Sequence, residues 1–219
     1  EKIMLQIVIL AAVALFLFWR LRSVLGSREG FEKTMQQIEE QTNNIKTVAS
    51  TPNSDDDFDN DISDYVEENS ENAKALKSIK DANKDFTVES FVSGAKKAYE
   101  IILMAFENND LKTLKPLLDK SVFESFKTVV DDRKKKQLSI EATFIGMRDI
   151  RITNVHFDKK INSAEITVAF KSELSTVVKD KTGKVVEGDP NEIKKQKDIW
   201  TFSKKLTDKK PIWFLKSTS

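Results

Sequence analysis

The chain has no cysteine and a single histidine, His156, among its 219 residues. The first absence excludes disulfides, thiolate nucleophiles and cysteine-based zinc or iron–sulfur sites. The second leaves one side chain whose ordinary pKa suits acid–base work near neutrality. Glycine and proline are scarce, at 6 and 4 residues. No G-x-G-x-x-G, P-loop, H-E-x-x-H or nucleophile elbow occurs. Gly188-Asp189-Pro190 is a turn signal only. Asp131 and Asp132 are adjacent, so on a helix they diverge by about 100° and do not form a proton-sharing dyad. His156 has no acid–base companion nearby in sequence and is read as structural. The expectation is a protein without catalytic residues, metal or cofactor.

An excess of either charge is also missing, since the net charge is +1. The balance conceals a division. Residues 1–85 carry 10 Lys/Arg against 16 Asp/Glu, and residues 86–219 carry 26 against 19. An acidic part joined to a basic part implies separate roles.

What is present begins with residues 3–19, IMLQIVILAAVALFLFW, where Gln6 is the one strongly polar side chain. Seventeen residues lie at the short end of the roughly 17–25 that span a bilayer as a helix. Ile3, Leu5, Ile7, Leu10, Leu15, Phe16 and Phe18 supply the apolar surface, Trp19 an interfacial anchor, and Arg20 and Arg22 a basic flank. A cleaved signal peptide fits poorly, because the positive charge follows the run and no small-x-small site closes it. The expected arrangement is a single-pass anchor with the remainder on the cytoplasmic side, since Arg20, Arg22 and Arg28 resist translocation.

Residues 20–85 read as a juxtamembrane segment and tether. Phe31, Met35, Ile38 and Ile45 trace one weak apolar stripe, suiting either a linker or a membrane-surface helix. Residues 54–72, SDDDFDNDISDYVEENSEN, hold nine acids and no base. Mutual repulsion and few apolar groups predict disorder. Phe58, Ile62, Tyr65 and Val66 among those acids would alternatively form a docking motif for a basic partner.

From residue 86 to 219 the pattern is that of an α+β domain. Thr87 is an N-cap, with Phe86 and Phe91 at hydrophobic-staple positions. A helix follows over about 88–107 with Phe91, Ala95, Ala98, Ile102 and Phe106 on one face. A second helical stretch runs from Leu111, is interrupted near Pro116, and ends at Arg133-Lys134-Lys135-Lys136. The period changes to two from Ser139, with a slip at Asn154 and a turn at Asp180–Lys184. Two or three helices and four to six antiparallel strands result. A lysine triplet at 134–136 and lysine pairs at 159–160, 194–195, 204–205 and 209–210 make the domain basic, which suits an anionic membrane surface better than base-reading of nucleic acid.

Several stretches together resemble one family. They are Phe91-Val92-Ser93-Gly94-Ala95-Lys96-Lys97-Ala98-Tyr99 with Ile102, Ala105 and Phe106; Glu165-Ile166-Thr167-Val168; Val186-Glu187-Gly188-Asp189-Pro190; Asp198-Ile199-Trp200-Thr201-Phe202; and Pro211-Ile212-Trp213-Phe214-Leu215. This set is similar to the Tim forty-four-like domain family of the mitochondrial inner-membrane translocase. The apolar run with Arg20–Gly26 is similar to its bacterial TimA-type adaptors. The resemblance implies a cone-shaped fold similar to nuclear transport factor two, with helices over a curved sheet and an apolar pocket. It implies a membrane-anchored, non-catalytic adaptor that holds translocation or assembly machinery at the cytoplasmic face of a bacterial inner membrane. A ribosome-to-membrane tether and a carrier of lipid or another small hydrophobic ligand are alternatives. The partners implied are the bilayer, a membrane or cytoplasmic protein and, in the tether reading, the ribosome; DNA is not expected. In this reading Gly94 lets helix and sheet approach closely, Gly188, Asp189 and Pro190 turn the chain, and Trp200 and Trp213 fill core or pocket. Phe91, Ala95, Phe106 and Phe202 complete the motif.

Overall fold

The computed structural model describes residues 60–208 and 212–219. The expected anchor over 3–19, the amphipathic stripe at 28–48 and Phe58 lie outside the described residues. Among the described residues, no helix is long and apolar enough to cross a membrane.

Among the described residues, five helices precede five strands: α1 (Asn60–Ser63), α2 (Glu71–Ala82), α3 (Val88–Glu107), α4 (Leu111–Leu114), α5 (Lys120–Lys135), β1 (Ser139–Asp158), β2 (Ser163–Lys179), β3 (Val185–Gly188), β4 (Lys194–Lys205) and β5 (Phe214–Thr218). The sheet is antiparallel in the order β1-β2-β4-β5, and β3 pairs with the far end of β2. This is an α+β fold.

The α3 helix starts where Thr87 Oγ1 accepts from Ser90 N at 3.1 Å. Val88, Phe91, Val92, Ala95, Tyr99, Ile102 and Leu103 recur at three- and four-residue spacing and are all buried. They meet the inward face of β2, where Ala164, Ile166, Val168 and Phe170 alternate with less buried residues. Trp200 and Phe202 of β4 and Leu215 of β5 extend that face. The loop before α5 covers the β5 edge: Asp119 N donates to Leu215 O and Leu215 N to Leu117 O.

The twenty-residue β1 strand shifts register at three places, Phe144/Gly146, Met147/Asp149 and Ile152/Asn154. Bulges bend a strand and leave backbone groups unpaired. At the third, Asn72 replaces the missing partners: its Nδ2 donates to Thr153 O at 3.3 Å and its Oδ1 accepts from Val155 N at 2.9 Å.

The tether reading fails for residues 60–85. Although acidic, this stretch folds. Ile62, Ala73, Leu76 and Ile79 enter the same core as α3, and Tyr65 and Val66 pack against it, so Ile62, Tyr65 and Val66 are not free to form a docking motif. Asp61 holds the N-terminus of α3, accepting from Val88 N at 2.7 Å and Glu89 N at 2.9 Å while Lys80 Nζ lies at 3.0 Å. Helix α2 has its own cap, Ser70, which accepts from Ala73 N. A charge count sees repulsion; in the fold, helix N-termini and a lysine offset part of it.

Candidate functional site

Small residues on one stretch of α3 open a groove against the sheet. Gly94, Ala95 and Ala98 face Phe202, Leu206, Ile212 and Trp213, with Phe86, Phe91 and Leu117 completing the apolar walls. Its volume is about 520 Å³, within the range of small-molecule pockets. The aromatic wall is continuous. Phe91 and Trp213 have ring centroids 4.8 Å apart in an edge arrangement, Phe86 and Trp213 5.9 Å, and Phe91 and Phe202 6.2 Å. Such contacts fix ring orientation beyond what area burial alone does. Asn83, Asp85, Ser90, Lys204 and Asp208 supply polar groups.

Of the motif residues, Phe91, Gly94, Ala95, Phe202 and Trp213 converge on this groove. Gly94 needs correction. It is exposed, and a Cβ placed on it meets nothing within 4 Å, so close helix–sheet approach is not its role. Phe106 lies towards the C-terminus of α3, 4.6 Å from Phe126 and beneath the Arg133 guanidinium at 4.4 Å. Trp200 is core, 4.6 Å from Tyr99. Gly188, Asp189 and Pro190 are at the opposite end of β2. There Gly188 adopts φ +84°, and a Cβ would stand 2.1 Å from Thr176 O. Ser175 Oγ donates to Pro190 O at 2.9 Å, and Asp189 Oδ1 accepts from Asn191 N at 2.8 Å. The anchor residues Ile3 to Arg22 lie outside the described residues.

The sequence reading missed a polar cluster within the aromatic core. Tyr99 OH donates to Asp198 Oδ2 at 2.5 Å and lies 2.8 Å from Ser172 Oγ, while Gln196 Nε2 donates to Asp198 Oδ1 at 3.0 Å. Phe170 stacks on the Tyr99 ring at 4.5 Å. Burial, then the Asp198 carboxylate, push the Tyr99 phenol well above its ordinary range. Burial also pushes the Asp198 carboxyl up, against the opposing pull of hydrogen bonds from Tyr99 and Gln196. A phenol held protonated is a hydrogen-bond donor rather than a base, so the cluster pins α3 to the sheet. The available signal was register: Gln196 and Asp198 share the inward face with Trp200 and Phe202.

The remaining titratable candidates are dispersed. Asp131 pairs with Lys127 and Asp132 with Lys136, each at 2.7 Å. His156 is exposed on edge strand β1 opposite Glu165, whose carboxylate pairs with Lys216. Among the described residues, no three His, Asp or Glu side chains converge as a metal site would require.

The Tim44-like domain family model matches residues 72–219. The chain belongs to the Tim44-like domain family. The match begins at Asn72, in α2, earlier than the boundary at 86 expected from composition. For the Tim44-like chain this points to a membrane-associated adaptor that holds partners. Comparison with curated proteins finds no match. Among solved structures, the Tim44-like chain is similar to the intermembrane-space region of the chloroplast protein ARC6, at 14% identity over 58% of this chain and 94% of that one, TM-score 0.39. It is also similar to a de novo designed β-sheet protein, at 13% identity over 60% of this chain and 87% of that one, TM-score 0.25. At these scores neither likeness bears on function.

Proposed function

We propose that the protein is a single-pass, non-catalytic adaptor. Residues 3–19 anchor it in a bacterial inner membrane, and the Tim44-like domain holds a protein of the translocation or membrane-protein assembly machinery at the cytoplasmic face. The observation that carries this reading is the family match over residues 72–219, joined to a seventeen-residue apolar run with a basic flank at the other end of the chain. Crosslinking in cells should capture a membrane-protein set with the intact chain. That set should be lost when residues 3–19 are deleted, and an unchanged set would overturn the reading.

A second reading, a carrier of lipid or another small hydrophobic ligand, has the aromatic groove of about 520 Å³ in its favour. Native mass spectrometry of the full chain released gently from membranes should show an added mass that Gly94→Trp abolishes. No added mass would leave the groove without a carrier role.

A further inference from the structure

We infer that one end of the sheet, built on the β1–β2 turn, rests on an anionic phospholipid surface and inserts Ile161 into it. This rests on the adaptor reading and specifies which face of the domain meets the lipid.

Ile161 is 62% exposed, the highest value among the large exposed apolar side chains of the described residues. A lone exposed isoleucine needs no explanation; this one is held out by a built turn. Asp158 Oδ1 accepts from Lys160 N at 2.8 Å and from Ile161 N at 3.4 Å. Asn162 takes a left-handed φ of +52°, and its carbonyl accepts from Leu206 N at 2.9 Å. That last bond ties the turn to the chain leaving β4. Solvated turns favour polar residues at such positions, yet position 161, after Lys159 and Lys160, carries isoleucine.

Strand register gathers more cations at the same end. Ser163 pairs with Lys205 and Ala164 with Lys204, so Lys159, Lys160, Lys204 and Lys205 flank one edge. None of the four forms a salt bridge among the described residues. The nearby acids are partly occupied: Asp158 caps the turn and Asp81 pairs with Lys84 at 3.1 Å. Asp85 and Asp208 line the groove. Ile212, a second exposed isoleucine, lines the groove at this end. Lysines around an apolar tip suit a headgroup layer. The ammonium groups meet phosphates while the isoleucine reaches the acyl boundary. The groove described above adjoins this end of the sheet, since Lys204 and Leu206 line it and Leu206 N is bonded to Asn162 O of the turn.

The test uses the full chain, anchored in vesicles. Because the protein has no cysteine, Ile161→Cys and Val185→Cys each give one labelling site, the second on β3, opposite Lys179 at the far end of β2. An environment-sensitive dye at 161 should shift to the blue, and be quenched by nitroxide lipid, in phosphatidylcholine–phosphatidylglycerol vesicles. It should remain aqueous in phosphatidylcholine alone, and the dye at 185 should remain aqueous in both. Lys159→Glu with Lys160→Glu should reverse the shift, and each lysine neutralised should lower the docking equilibrium constant about fivefold at low salt. An aqueous signal at 161 in anionic vesicles that the chain does co-float with would overturn this inference alone. Failure to co-float would overturn the anchor reading instead. Shielding of position 161 by added ribosomes but not by lipid would assign the surface to nucleic acid and reject the lipid contact.

Discussion

Two glycines show how one substitution takes opposite signs. Gly188 has φ +84° with Thr176 O in the path of a Cβ, whereas Gly94 sits in mid-helix with open space around it. Gly188→Ala should destabilise by about 2–3 kcal/mol through backbone strain and the clash. Gly94→Ala should stabilise by about 0.5–1 kcal/mol through helix propensity. Chemical denaturation of both variants checks the pair, and equal effects would contradict the geometry. Asp198 gives a test in pH. Its folded-state pKa is raised by burial, so its contribution is fully present below the unfolded pKa and lost as pH rises through the folded one. Asp198→Asn keeps an acceptor for Tyr99 and removes the buried charge. It should match or exceed the parent melting temperature near neutrality, with the difference vanishing in acid; a variant that is worse at neutral pH would show that the ionised carboxylate stabilises the core.

Among the elements, α3 is the one most clearly built from both sides. Thr87 caps it locally, and Asp61 caps it from 27 residues earlier through Val88 N. Burial raises the Asp61 carboxyl, but the backbone donors of Glu89 and Val88 together with Lys80 bring it below the ordinary range. A depressed pKa means a contribution present above the unfolded value and lost as pH falls through the folded one, opposite in sign to Asp198. Asp61→Ala should therefore cost about 1–2 kcal/mol at neutral pH, with little difference from the parent once both are measured in strong acid. Thermal melts across pH check this. At the other end of α3, Arg133 donates to Phe106 O at 2.9 Å, lies 3.3 Å from Glu107 and covers the Phe106 ring. Burial opposes the charge on both partners, so the value of the pair lies in holding α5 to α3. Arg133→Met should be tolerated better than Glu107→Gln, because an unpaired Glu107, already pushed up by burial, can neutralise itself by taking up a proton whereas an unpaired buried Arg133 stays charged. Unfolding midpoints of the two variants decide it.

For the whole molecule, the boundary of the folding unit is the consequential question. Ile62, Leu76 and Ile79 are nearly fully buried. Each such side chain contributes about 1.5–3 kcal/mol when buried, and a domain's net stability is only about 5–15 kcal/mol. A fragment starting at residue 86 should therefore lose its near-ultraviolet circular dichroism and bind a hydrophobic dye. The same fragment extended back to residue 58 should melt cooperatively. A cooperative transition in the shorter fragment would show that α1 and α2 are accessories.

The sequence by itself determined the elements whose signals are local. Helix α3 is bounded by Thr87 and the Asn108-Asn109 pair, β1 begins where the period changes at Ser139, and the register slips beside Asn154. Periodicity and capping are short-range and survive without knowledge of the partner. Only the tertiary structure decided the fate of the acidic stretch, since repulsion counted along a chain does not show that Asp61 meets a helix N-terminus or that Asn72 closes a bulge. It alone joined Tyr99 to Asp198 and moved Gly94 from a contact to an opening. Those facts depend on which residues become neighbours when distant segments bury their apolar faces together, and neighbourhood is not written in spacing.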